Sequence, residues 1–336
     1  VLRSHFVRST AAAAAVAAPL VPTLARAQSN PRSVAVSIVS KTANDWPIYI
    51  AQAQGYDVAN GVKFDVSVAG SAATSTQQLV AGALDIAGNS TSQALEALAG
   101  GASITIIAVN DVAVPYAIMA KKSIGTMSGL KGKTFIVGGP NDITRVYADA
   151  ALARAGVNPA DVSYTFSGGS ADRFAALLSG GVDAAILTPP FSFMAESHGF
   201  TTLELVSKYY SSFPIDNFTV NPVWARANEA VVVAFVKAHL LAVRDFYDVT
   251  LRARTIQTLV DATNAKPDDA AKTYDYLRQI KFFSATAMTN AADMNHVIDT
   301  LIKTGDVKPP VPPFTKLTDF SYAQKAAAQL KIGGAR

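Results

Sequence analysis

The nonapeptide LVAGALDIA, beginning at Leu79, returns 98 residues later as LLSGGVDAA, beginning at Leu177. The shared pattern L-x-x-G-x-[LV]-D-x-A sets Gly82 against Gly180, Asp85 against Asp183 and Ala87 against Ala185, and Gly70 falls opposite Gly168. Each copy reads as a helix that ends at a glycine and re-enters a strand through an aspartate. A chain carrying this unit twice is expected to build two similar lobes.

The flanking segments agree. SVAVSIVS (33–40), VKFDVSVAG (62–70), ALDIAG (83–88) and SITIIAVN (103–110) are strand patterns. Between them lie a helix opening at Pro47, another over Ala72–Leu79 and a third over Ser92–Ala99. A second series starts near Val114 with VPYAIMAKK and TFIVGG, a helix to Ala155, VSYTFSGG, a helix from Ala171, and VDAAILTPP. Such alternation predicts parallel βαβ units and an α/β fold. After Tyr210 an extended segment, DNFTVNPVWARANE, precedes helical tracts over Glu229–Ala262, Pro267–Phe283 and Ala285–Lys303. The expected organisation is one discontinuous lobe, 33–111 and 209–336, with C-terminal helices, and an inserted lobe, 112–208. Two crossovers, near Asn110–Pro115 and Tyr209–Asp216, would serve as the hinge for closure on a ligand.

Residues 1–27 have the parts of a cleavable signal peptide: basic Arg3 and Arg8, an apolar stretch from Ala11 to Leu24, and the exit Ala25-Arg26-Ala27. These three arginines account for most of the formal charge of +4. The remaining body is near neutral, which gives no electrostatic footprint for nucleic acid. With no cysteine, thiolate chemistry, thiolate zinc sites and disulfides are excluded. The expectation is an exported, periplasmic, monomeric protein without cofactor or metal.

Catalytic motifs are missing. Gly132-Lys133-Thr134 ends like a phosphate loop, but Met127 stands where that loop needs its first glycine, and the order relative to the strand is wrong. His198, His239 and His296 have no metal-binding spacing, and no G-x-S-x-G elbow occurs. What recurs is small hydrogen-bonding residues just past the strand ends, the edge where open α/β sheets bind ligands. These are Asn44 in TANDW, Gly70-Ser71, Asn89-Ser90, the run GGPND (138–142) with Asn141 and Asp142, SGG (167–169), and Thr188 in TPPF. Trp46, Tyr116 and Phe191 are candidate aromatic walls for a small organic ligand with one ionised group. The helix opening near Asn141–Thr144 offers either free amides or Arg145 to an anion, with Asp142 as a competing cap.

DWPIYIAQAQGYDVANGVKFDV, QLVAGALDIAGNSTSQALEALAGG, GLKGKTFIVGG and ALLSGGVDAAILTPPFSFMAESHGFTTL, in that order, resemble the periplasmic substrate-binding proteins of ABC importers for sulfonates, taurine, nitrate and thiamine-precursor pyrimidines. The resemblance spans 34–305. It implies two Rossmann-like lobes joined by a two-strand hinge, as in type II periplasmic binding proteins, and an organic anion delivered to a membrane permease. It also implies ligand contacts from Asn44–Trp46, Gly70-Ser71, Asn89-Ser90, Asn141–Thr144 and Thr188-Pro189. The sequence departs from the pattern at Thr91-Ser92, where the family often has proline. A pyrimidine carrier is the alternative, with ring stacking on Trp46 and acidic partners such as Asp45 or Asp142. A sensor subunit is a further reading. Enzymatic relatives that make the pyrimidine carry a cysteine-rich motif, which this chain lacks.

Overall fold

The computed structural model describes residues 1–2, 30–140, 142–209, 213–305 and 307–332. Most of the signal-like segment and Asn141 lie outside the described residues.

The β-branched runs pair into two five-stranded sheets. In the first, β1 (Arg32–Ile38), β2 (Val62–Val68), β3 (Ile86–Ser90), β4 (Thr105–Val109) and β10 (Asp216–Val220) take the order β2-β1-β3-β10-β4. In the second, β5 (Ala117–Ala120), β6 (Thr134–Val137), β7 (Ser163–Phe166), β8 (Ala184–Leu187) and β9 (Thr201–Leu205) take the order β7-β6-β8-β5-β9. The two orders match strand for strand. Neither sheet is purely parallel, which corrects the βαβ expectation. β10 runs antiparallel to β3 and β4, and β5 antiparallel to β8 and β9. Both strands arrive from the other sheet, so they run opposite to strands that were threaded locally through helices.

The sequence repeat has a physical role. Asp85 Oδ2 accepts from the Ala35 amide at 2.9 Å, and the Asp85 amide donates back to the Ala35 carbonyl at 3.0 Å. Asp183 forms the same two-bond ring with Thr134, at 3.1 and 2.9 Å. Each aspartate thus ties the start of a strand to its parallel neighbour and sets their register. Gly82 and Gly180, with φ of 74° and 79°, make the turn before it in the left-handed region that glycine tolerates.

The C-terminal helices depart from the sequence expectation in two places. The predicted tract over 229–262 is two helices, α9 (Glu229–Tyr247) and α10 (Arg252–Thr263). Asp248 is extended between them and its carboxylate caps the Thr250 amide, an option that competes with helix continuation. The last tract begins at α12 (Ala291–Thr304), not at 285. Residues before it are diverted to β4, where the Val109 amide donates to the Ala287 carbonyl and the Ser284 amide to that of Asn110.

On the first sheet, α1 (Trp46–Ala53) packs against α9 and α10 around Phe235, Phe246 and Tyr274. Helix α12 touches both α4 (Thr91–Ala99) and α5 (Ile143–Arg154), so a second core runs from one sheet to the other. No helix among the described residues is long and apolar enough to cross a membrane.

His239, within α9, is fully buried against Phe218, and neither ring nitrogen has a hydrogen-bond partner. Burial holds its pKa down to about 3. The unfolded chain takes up a proton here below about pH 6.5 while the folded chain does not. This group's contribution is therefore complete above about pH 6.5 and declines by up to about 1.4 kcal/mol per pH unit as pH falls toward the folded pKa. In His239→Leu, unfolding free energies from urea titrations between about pH 6 and pH 4 should lose that slope. An unchanged slope would assign the acid sensitivity elsewhere.

Candidate functional site: a closed cavity between the two sheets

The ends of the strands face a polar cavity of about 70 Å³. That is far below the ~300–1,000 Å³ of drug-sized sites, so this conformation suits a compact molecule. The two halves touch around it. The Ala43 amide donates to the Pro189 carbonyl at 3.0 Å across the cleft. Gly168 lies so near the opposite rim that a Cβ there would sit 2.3 Å from the Gly70 carbonyl oxygen and 2.7 Å from Ser71 Cβ. The glycines matched by the repeat are thus the two surfaces in contact.

From the first-sheet side the cavity receives Ser40, Thr42, Asn44 and Asp45 after β1, Asn89 and Ser90 from β3, Asn110 after β4, and Asp216 and Asn217 from β10. From the second-sheet side come Tyr116, Asp142, Thr144, Ser170, Arg173 and Thr188. Of the residues expected from sequence, Asn44, Asn89, Ser90, Tyr116, Asp142, Thr144 and Thr188 line it. Gly70 and Ser71 lie at the rim contact, where Ser71 Oγ caps α3 (Ala72–Val80) by accepting from the Thr74 amide at 3.0 Å.

Three expectations are corrected. Trp46 is 0% exposed in the first core, with its Nε1 donating to the Thr255 carbonyl at 3.0 Å and Thr258 Oγ1 at 2.9 Å. The proline that opens α1 turns the ring inward, where its apolar area packs on Phe246. Phe191 is buried against Phe174, away from the cavity lining. Arg145 lies over the Tyr164 ring, 3.6 Å from its centroid, and pairs with Asp149 at 2.8 Å on its own helix face. The start of α5 is not an open anion site either, because the Asp142 carboxylate accepts from the Thr144 amide at 2.9 Å. Trp46→Phe should therefore cost about 1–3 kcal/mol of stability, through the lost buried indole hydrogen bonds and the space left by the smaller ring, and leave ligand affinity within twofold. Denaturant unfolding and ligand titration on the same variant check both halves of that statement.

Arg173 escaped the sequence reading. It is 2% exposed on α6 (Ser170–Leu178). Its Nε donates to the Ile186 carbonyl, Nη1 to the Ser167 and Gly168 carbonyls, and Nη2 to Ser170 Oγ, all at 2.8–2.9 Å. The repeat held a signal for it. Ser75, 98 residues earlier on α3, donates to the Gly88 carbonyl at 2.8 Å, the counterpart of the bond from Arg173 to Ile186. The same helix-to-strand tie is thus made by a neutral hydroxyl in one half and by a cation in the other. No ion pair among the described residues involves Arg173. Four of its five N–H groups are engaged by neutral partners, which hold the plane of the guanidinium without cancelling its charge.

Carboxyls dominate the opposite wall. Asp216 accepts from Asn44 Nδ2 at 2.6 Å and shares a hydrogen bond with Asp111, whose Oδ1 also receives the Ile215 amide. Burial raises the pKa of Asp45 and of Asp111 well above the carboxylate range, with the nearby charge of Asp216 adding to it, and burial raises Asp216 as well. Burial also lowers the pKa of Arg173 and raises that of Tyr116. Among the described residues no cluster of histidine and acidic side chains is arranged to hold a metal ion.

Residues 42–248 match the family model described as NMT1/THI5 like. The chain belongs to this family. A comparison with curated proteins finds no significant match. Solved structures with the same fold include the periplasmic nitrate-binding protein NrtA of Synechocystis PCC 6803 (TM-score 0.76, 13% identity, covering 90% of this chain and 90% of that one). The alkanesulfonate-binding protein SsuA of Xanthomonas axonopodis pv. citri, bound to MOPS, aligns with TM-score 0.69 and 16% identity over 86% of this chain and 98% of that one. The desulfurization enzyme DszB also aligns, with TM-score 0.64 and 12% identity over 89% of this chain and 99% of that one. This NMT1/THI5-like chain therefore shares one two-sheet architecture with binding proteins and with an enzyme. Identities this low speak to the fold, and the cavity's own chemistry must supply the function.

Proposed function

We propose that this NMT1/THI5-like chain is an extracytoplasmic solute-binding protein that captures a small organic acid, a sulfonate or carboxylate, and delivers it to the membrane permease of an ABC importer. The observation that carries the ligand class is Arg173: a buried cation on the cavity wall, oriented by neutral acceptors and without a carboxylate ion pair. An acid seated against it would add a counter-charge in direct contact, through a charge-assisted hydrogen bond, to the more distant charges of Asp142 and Asp172. Residues 33–111 and 209–336 form one lobe in this reading and 112–208 the other. The crossovers near Asn110–Pro115 and Tyr209–Asp216 act as the hinge, and residues 1–27 direct export. Closure is favoured by ligand only through contacts that both lobes make to it. The pyrimidine alternative loses its stacking platform, since Trp46 lies in the core.

A thermal-shift screen of the purified protein with aliphatic and aromatic sulfonates, carboxylates, nitrate and pyrimidines tests the reading. One acid, at about 100 times its Kd, should stabilise the fold by about 2.7 kcal/mol. Stabilisation by neutral pyrimidines and by no acid would overturn it.

A further inference from the structure

The two crossovers between the sheets meet through carboxyl groups. Asp111, in the first, is 1% exposed, and its Oδ1 receives the Ile215 amide at 3.1 Å and the Asp216 amide at 3.4 Å from the second. The side chains of Asp111 and Asp216 share a hydrogen bond. Backbone bonds run alongside, from the Asn110 amide to the Asp216 carbonyl at 2.9 Å and from the Phe213 amide to the Val112 carbonyl at 3.2 Å. Asp216 lines the cavity, and its Oδ2 also receives Asn44 Nδ2. Ala43, one residue before Asn44, donates across the cleft to Pro189. The contacts thus run from the hinge to the place where the rims meet. Among the described residues neither carboxyl has an ion pair.

Two ionised carboxylates are acceptors only, so a hydrogen bond between them needs one proton. Burial, the largest influence on each, raises both pKa values. We infer that this shared proton latches the hinge: with it the closed form is favoured, and its loss favours the open form. Parting of the sheets admits water to Asp216 on the cavity wall, and water stabilises the ionised pair. Closure removes that water, so closure and proton uptake favour each other. The surrounding groups keep this sign. Asp45 after β1 and Asp142 before α5 are acidic, and the charges of Asp111 and Asp216 help burial to raise the pKa of Tyr116. Arg173 keeps its charge at every pH that matters here. Residues 282–284, bonded to the first crossover, carry no ionisable side chain. His296 of α12 stands edge-on to Phe213 in the second crossover, with ring centroids 5.6 Å apart. The inference rests on the hinge of the proposed solute-binding reading and adds a control to it.

The test uses the full unliganded protein, which has no cysteine of its own. Lys63→Cys and Ser163→Cys place spin labels at exposed positions on β2 and β7, one in each half. Pulsed electron paramagnetic resonance reads the ratio of closed to open distances from about pH 6 to about pH 9, where buried carboxyls titrate. That ratio should fall at least about tenfold as pH rises, the equivalent of one pKa unit between the two forms. In Asp111→Asn the side-chain amide donates to Asp216 at every pH, so the ratio should stay within about twofold across the range. Infrared difference spectra at neutral pH should show a carboxylic-acid carbonyl band in the wild-type protein that Asp111→Asn lacks. His296→Gln should leave the wild-type profile intact. Asp216→Asn removes the same shared proton and takes the place of Asp111→Asn if that variant does not fold. A wild-type ratio that ignores pH overturns the inference, as does a profile that survives in Asp111→Asn or disappears in His296→Gln, or a missing acid band. The thermal-shift screen involves neither carboxyl and decides the solute-binding reading separately.

Discussion

Gly168→Val is expected to lower ligand affinity by at least about 100-fold while both halves remain folded. A Cβ at this position would overlap the Gly70 carbonyl oxygen at 2.3 Å and approach Ser71 Cβ at 2.7 Å. Both obstacles belong to the opposite rim, and the nearer is backbone, so no side chain can swing away to relieve the contact. The halves must separate instead, and the Ala43–Pro189 hydrogen bond across the cleft is lost with them. A ligand then reaches donors on only one wall. Forfeiting two hydrogen bonds to charged groups, at about 1.5–3 kcal/mol each, gives a loss of this size. Calorimetric titration measures the affinity, and small-angle scattering of the saturated protein should show the variant failing to compact. Gly168→Ala, with the smaller intrusion, should fall between the two. Wild-type affinity in the valine variant would mean that binding does not require the rims to meet.

The second large effect is expected at Arg173. In Arg173→Met the cavity loses its cation, and the carbonyls of Ile186, Ser167 and Gly168 lose their donor. Leaving several buried acceptors unmet should cost about 3–5 kcal/mol of stability, because each alone costs about 1–3. Affinity for an acidic ligand should fall at least about 100-fold, since a charge-assisted bond in a desolvated site is lost together with the plane that oriented it. Arg173→Lys keeps a charge but not the fork, and should retain only part of both. Chemical denaturation separates the stability term, and titration at a temperature where the variant is folded gives the binding term. Binding within threefold of wild type in Arg173→Met would place the anion elsewhere.

Much of this was legible in the residues. The repeat at 98 residues foretold two sheets of matching order, and its aspartates proved to be register clamps. Local chemistry was legible for the same reason: Ser71, Ser90 and Asp142 accept from amides of their own helices, within three residues along the chain. The errors fall where the outcome depended on distant partners. Trp46 next to a proline read as a cleft aromatic, but its indole finds an acceptor 209 residues away, in α10. Arg145 read as facing an anion, but Tyr164 and Asp149 hold it aside. Arg173 is marked only by its place in the repeat, opposite the helix-to-strand tie of Ser75, because its neighbours along the chain do not mark a buried cation.

The sequence by itself determined the strand and helix identities, the doubled unit and the small polar residues at the strand ends. These follow from periodicity, capping and turn chemistry, which act over a few residues. Only the tertiary structure decided which groups share a cavity and what charge it carries. Asp45 and Asp216 lie 171 positions apart in the chain, yet the fold sets both on the cavity that Arg173 lines, where burial and the nearby charge of Asp216 raise the pKa of Asp45. Desolvation and Coulomb interaction depend on distance through space, and that distance exists only once the two sheets have closed on each other.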